Sequence, residues 1–140
     1  MSTPFDLAEF LPYRLAVAAA RVSARFSAQY EKFGVTIPQW RVLAALGSFG
    51  ETHAQRLTTL TTMDKVKVSR AVAAMLGAGL LRRRADADDA RRDLLRLTPK
   101  GTRLYGQLVP LAQAMQAELL ADIPPEAQAA LDASLTRLSR

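Results

Sequence analysis

Six arginines fall within fifteen residues of this chain: Arg82, Arg83, Arg84, Arg91, Arg92 and Arg96, with no lysine among them. A guanidinium is planar and weakly hydrated, so it forks onto phosphate oxygens and enters narrow, electronegative DNA grooves better than an ammonium does. A charged edge that discourages strand pairing would also place cations here, but it leaves the choice of arginine over lysine unexplained. A second group lies upstream, at Lys65, Val66, Lys67, Ser69 and Arg70. If Val68 marks the centre of a buried helix face, a step of about 100° per residue turns Val66, Lys67, Arg70, Ala73 and Ala74 outward and leaves Ser69 on the shoulder. Small residues let such a helix approach the floor of the major groove. Arg and Lys can donate to guanine O6 and N7 or to phosphates, and Val66 can meet a thymine methyl. An ordinary solvated helix face fits these residues equally well.

Enzymatic chemistry finds little support, and the chain is read as a non-enzyme. The only imidazole is His53, and no serine, lysine or carboxylate pair is spaced for nucleophilic or acid-base work. His53 reads as a helix-start or surface residue. The acidic cluster Asp86, Asp88 and Asp89 lacks the turn glycine and distal glutamate of a calcium loop, so it reads as a solvated turn. There is no cysteine, which excludes disulfides, thiolate nucleophiles, zinc knuckles and thiol-based oxidation sensing. No cofactor and no metal are expected.

Charge placement agrees with the arginine cluster. The net charge is +6, and from Glu51 to Leu97 ten Lys/Arg face six Asp/Glu, an excess of +4. Both ends are close to neutral. A basic middle third favours a polyanionic partner. At 140 residues and 49% hydrophobic content the chain suffices for one core, and a single domain over 1–140 is expected. Its longest apolar runs, such as Leu15 to Ala20, are far short of the roughly 20 residues that span a bilayer. Met1 to Phe10 carries Asp6 and Glu9 where a secretory signal would carry cations, so a cytoplasmic protein with no membrane contact is expected.

The elements that must position these residues follow from periodicity and caps. Leu7, Leu11, Leu15, Ala18, Val22, Phe26 and Tyr30 form the stripe of a long amphipathic helix that stops at Gly34. Thr36 and Gln39 make a capping box for a second helix, with Trp40, Val42, Leu43 and Leu46 inward. Thr52 and Gln55 repeat that signature for a third, with His53 an alternative boundary. Asp64 caps a fourth, and Gly77 and Gly79 end it. Two short helices across a tight turn are a helix-turn-helix. Leu80 to Ala85 and Asp93 to Leu97 read as strands around the tip Asp86–Ala90, a wing. Thr98-Pro99 opens a helix of about six turns, Asp122 to Pro125 breaks it, and Glu126 to Leu138 forms a last helix with Leu131, Leu135 and Leu138 inward. The fold class is mainly α with a β wing.

Asp89 to Gly101 reads as Asp-x-Arg, six residues, then Thr-x-x-Gly, and this run resembles the wing signature of the MarR (multiple antibiotic resistance regulator) family. Met63 to Arg70 is similar to that family's recognition-helix opening, and Gly79-Leu80-Leu81-Arg82 to its approach to the wing. Nearly the whole chain fits in order and length. The resemblance implies a winged DNA-binding lobe over about 36–98 and dimerisation helices over about 5–33 and 98–140. It implies a homodimer on double-stranded DNA, with the recognition helix in the major groove, Arg91 in the minor groove and Asp89 orienting the wing. Arg84 and Arg92 are counted among the DNA-binding residues. Many members release DNA on binding a small aromatic or phenolic anion. Phe26, Tyr30 and Trp40 are the candidates to line such a site here, although aromatics at this spacing also serve as plain core. A ligand-responsive repressor of a pseudo-palindromic operator is the leading reading. The alternatives are an architectural DNA-binding protein without an effector and a winged-helix adaptor for other proteins.

Overall fold

The computed structural model describes residues 2–140; Met1, the first residue of the N-terminal stretch considered above, lies outside the described residues. The described chain contains six α-helices and a three-stranded sheet, and it divides into two compact units, Met1–Gly106 and Gln107–Arg140.

In the first unit a single 3-10 turn, Leu7–Glu9, precedes α1 (Leu11–Glu31). The N-terminal stripe is therefore not one continuous helix: Phe10 is extended and Pro12, which has no N–H to give, occupies the first turn of α1. Helix α2 (Ile37–Phe49) starts on the expected capping box, with the Gln39 N–H donating to Thr36 Oγ1 at 3.3 Å and the Thr36 N–H donating to Gln39 Oε1 at 3.1 Å. Thr52 and His53 form a short strand β1, so no second capping box forms; His53 instead takes the position before α3 (Ala54–Thr61). Thr62 adopts the left-handed conformation at φ 57, the chain turns, and Asp64 caps α4 (Lys65–Gly77) by accepting the Lys67 N–H at 2.8 Å.

Strands β2 (Leu81–Ala85) and β3 (Asp93–Leu97) form the wing, and β3 lies between β1 and β2 in an antiparallel sheet. Leu95 is opposite Thr52 on one side and Arg83 on the other. The core joins Val42, Leu43 and Leu46 of α2, Leu57 of α3, Val68, Val72 and Met75 of α4, and Leu81 and Leu95 of the sheet, all buried. These are the apolar faces that the periodicity assigns, and their burial fixes the outer faces of α4 and the wing.

Helix α5 (Pro99–Leu120) begins in the first unit, on Thr98, whose Oγ1 accepts the Gly101 N–H at 3.1 Å. Within the second unit, α6 (Pro125–Leu138) follows the break, and Gln128 Nε2 donates to the carbonyls of Leu120 and Ile123 at 2.9 and 2.8 Å, closing the turn. Leu131, Leu135 and Leu138, expected inward, are 43%, 45% and 53% exposed on the single chain. Leu7, Leu11 and Leu15 of the N-terminal stripe are also exposed. Among the described residues, no helix is long and apolar enough to cross a membrane.

Candidate nucleic-acid interface

The recognition-helix candidates fall where the helical geometry assigns them. Lys65, Val66, Lys67, Ser69, Arg70, Ala73 and Ala74 are all exposed, while Val68, Ala71, Val72 and Met75 are buried. Val66 is 57% exposed, an apolar side chain held against water at the start of α4. Asp64 caps this end, so the first turn presents its basic side chains from a fixed backbone. A cleft of about 480 Å³ between α3 and α4 is lined by Gln55, Thr58, Lys65 and Ser69 around Val68. The cleft continues the outer face of the helix-turn-helix.

Asp89 organises the wing tip. Its Oδ1 accepts the Arg91 N–H at 3.0 Å, its carbonyl accepts the Arg92 N–H at 3.0 Å, and its carboxylate lies 3.6 Å from the Nε of both arginines. Asp89 thus closes the turn through its side chain and its carbonyl and sets one carboxylate beside two guanidinium groups. The Arg91 side chain is nonetheless 94% exposed, the most open of the ion-paired arginines.

Arg84 has a different role from its neighbours. Its Nε and Nη2 donate to the two Glu51 carboxylate oxygens at 2.9 and 2.6 Å, a bidentate fork that ties β2 to the segment before β1. These hydrogen bonds hold the Glu51 carboxyl below the usual carboxylate range and raise Arg84 correspondingly. Arg84 is therefore a brace of the wing as well as a surface cation. Arg82 and Arg96 are direct cross-strand partners. Like charges placed opposite one another destabilise a sheet, and among the described residues neither guanidinium has an ion-pair partner within 4.0 Å.

The base of the wing is locked to the end of α4 and the start of α5. Thr98 donates its N–H to the Leu80 carbonyl at 3.0 Å and its hydroxyl to the Gly79 carbonyl at 2.6 Å, while Lys100 Nζ donates to the Ala78 carbonyl at 2.7 Å. Gly101 approaches the Leu80 carbonyl so closely that a Cβ there would overlap it. This supplies the physical content of Thr-x-x-Gly: hydroxyl and missing side chain together seat the wing on the recognition helix.

The sequence pattern of the MarR family matches residues 33–92. A MarR family transcriptional regulator from Silicibacter pomeroyi DSS-3 is 32% identical, superposes with a TM-score of 0.79, and the match covers 96% of this chain and 99% of that one. The chain belongs to the MarR family. It is also similar to the transcriptional regulator HosA of Escherichia coli O157:H7, 28% identical over 100 residues, 71% of this chain and 74% of that one. BpsR of Bordetella bronchiseptica, whose DNA binding is regulated by 6-hydroxynicotinic acid, superposes with a TM-score of 0.86 at 26% identity over 98% of both chains. The protein is thus a MarR-family transcriptional regulator with the winged-helix fold of that family.

The aromatic trio is brought together as a packed cluster. Tyr30 is buried and stacked on Trp40 at 4.8 Å, and Phe26 lies 6.3 Å from Tyr30 in a tilted arrangement. Burial pushes the Tyr30 hydroxyl above the usual phenol range, and the neighbouring Trp40 side chain draws it partly back. Sequence reasoning missed the contacts of His53 with the wing, because a two-residue strand such as β1 leaves no periodic signal.

Proposed function

We propose that this MarR-family regulator binds double-stranded DNA as a two-fold homodimer, with α4 in the major groove and the wing arginine Arg91 in the adjacent minor groove. The observation that carries the reading is the wing itself. It spends stability on opposing Arg82 and Arg96, and it extends Arg91 into solvent on a turn that Asp89 holds. A polyanion offsets the first cost and gives the second a purpose. On α4, Lys67 and Arg70 are the candidates for base edges, Val66 for a thymine methyl, and Lys65 and Ser69 for the backbone. Arg92 supports the tip through Asp89, and Arg84 braces the wing through Glu51.

The dimer is inferred from apolar surface. Leu7, Leu11 and Leu15 at one end of the sequence and Leu131, Leu135 and Leu138 at the other are exposed on the single chain, and rows of that kind call for a partner. Regulation is read as ligand-responsive repression by a small aromatic or phenolic anion, with BpsR as the precedent among similar proteins. Tyr30 and Trp40 fill each other's space, so Phe26, half-buried beside them, is the member of the trio that an effector would meet first. Selection of bound DNA from a random pool tests this function. The expected product is an inverted repeat with half-sites about 34–36 Å apart, or one helical turn. Recovery of sequences with no inverted repeat, or no enrichment over random DNA, contradicts it.

A further inference from the structure

His53 stands between two acceptors. Its Nδ1 lies 3.3 Å from the Asp93 carbonyl oxygen and its Nε2 lies 3.2 Å from Asp86 Oδ2. A carbonyl offers no proton, so Nδ1 must carry one to bond to it; Nε2 then needs a second to meet the carboxylate. Only the imidazolium satisfies both sides. The neutral ring with its proton on Nδ1 points a lone pair at Asp86, and the other tautomer points one at the carbonyl.

Most of the surrounding charges are themselves paired, but several lie close to this contact: Arg83, Arg91, Arg92 and Asp93 line the same cleft as His53, and Arg84 and Glu51 both lie within electrostatic reach of Asp86. From β2, Arg84 is held by Glu51 and Arg83 lies 3.6 Å from Asp93 of β3; at the tip, Arg91 and Arg92 both face Asp89. Asp86 has no guanidinium within 4.0 Å among the described residues, and His53 is the one basic side chain paired with it inside that distance, with Arg84 farther off. Asp86 also holds the hairpin shut: its N–H donates to the Arg92 carbonyl at 3.1 Å and its Oδ1 accepts the Asp88 N–H at 3.0 Å. The contact therefore joins the residue that precedes α3 to the residue that begins the wing tip.

We propose that His53 is a positioning residue for the wing, a proton-dependent clasp on Asp86 and the Asp93 carbonyl that fixes the hairpin against the helix-turn-helix and thereby makes operator affinity sensitive to pH. The proposal rests on the DNA-binding reading above. Protonation closes the clasp and presents Arg91 in a fixed place; as pH rises and the ring becomes neutral, one bond is lost and the tip swings more freely. Affinity is highest at low pH and falls as pH rises. His53 is the only histidine and the chain has no cysteine, and imidazole is the side-chain type suited to a proton-dependent switch.

The test is operator affinity of the full-length protein at pH 6 and pH 8, at fixed salt, for the parent, Asp86→Asn, His53→Gln and Arg91→Ala. The parent should bind about three- to tenfold more weakly at the higher pH, the worth of one hydrogen bond. In Asp86→Asn the Asp88 N–H keeps Oδ1, so an amide NH2 faces Nε2 and matches the neutral ring. The pH dependence should vanish or reverse, and in His53→Gln it should vanish. Order parameters of the wing-tip amides should fall with pH in the parent and stay level in His53→Gln. An unchanged pH dependence in Asp86→Asn overturns the clasp and makes the imidazolium a direct phosphate contact. A flat parent profile, with Arg91→Ala still weakened, overturns the clasp and leaves the DNA-binding reading standing.

Discussion

Gly101→Ala sets two physical effects against each other. In the first turn of α5, alanine is the better helix former by up to about 1 kcal/mol, so propensity alone forecasts stabilisation. The Cβ, however, would overlap the Leu80 carbonyl oxygen, a backbone atom that the Thr98 N–H holds at 3.0 Å and that cannot rotate away. Either the start of α5 or the start of β2 must move, which breaks that bond or loosens the Thr98 hydroxyl from Gly79. Overpacking of this kind costs about 1–3 kcal/mol, and a lost hydrogen bond adds about 1 kcal/mol. A net loss of about 1–3 kcal/mol survives the propensity gain and lowers Tm by about 3–12 °C for a chain of this size. Thermal unfolding by circular dichroism at fixed protein concentration reads it, since a dimer's Tm shifts with concentration. The same displacement tilts the wing, so operator affinity should fall too. A Tm equal to or above the parent's refutes the steric argument.

Arg82→Glu should raise Tm by one or two degrees, replacing a like-charge cross-strand pair worth about 0.2–1 kcal/mol, while weakening DNA binding; a fall in Tm contradicts the reading of Arg82 and Arg96. Glu51 has its folded-state pKa lowered by Arg84, so the fork adds stability above the ordinary glutamate value of 4.5 and loses it as pH falls through that value and below. Acid titration of stability in Glu51→Gln should accordingly be shallower than in the parent, and identical curves contradict it. Leu131→Ser with Leu135→Ser should shift the protein from dimer to monomer in sedimentation, and a persistent dimer would place the interface elsewhere.

Much of this architecture is legible in the sequence because strong local signals agree with the core. Thr36 with Gln39, and Asp64 before Lys65, mark helix starts that form as read. The face opposite Val68 emerges exposed, since burial of Val68, Val72 and Met75 leaves α4 no other orientation. What is not legible depends on contacts between distant residues. The Thr52-x-x-Gln55 signature is overridden because Thr52 pairs with Leu95 across the sheet. Glu51 with Arg84 and His53 with Asp86 are each 33 residues apart, and no periodicity announces them. The leucines of α6 read as inward because an apolar stripe reports that a face is buried, not whether its own chain or a partner buries it.

The central claim is tested most directly by Arg91→Ala. Operator affinity should be measured across a series of salt concentrations beside the parent. A solvated tip contributes little to the core, so Tm and dimerisation should match the parent. Binding should weaken markedly, the slope of log affinity against log salt should fall by about one, and the preferences read by α4 should stay in place. Binding as tight as the parent's, with the same salt slope, would contradict the minor-groove role and reduce the wing arginines to a soluble edge.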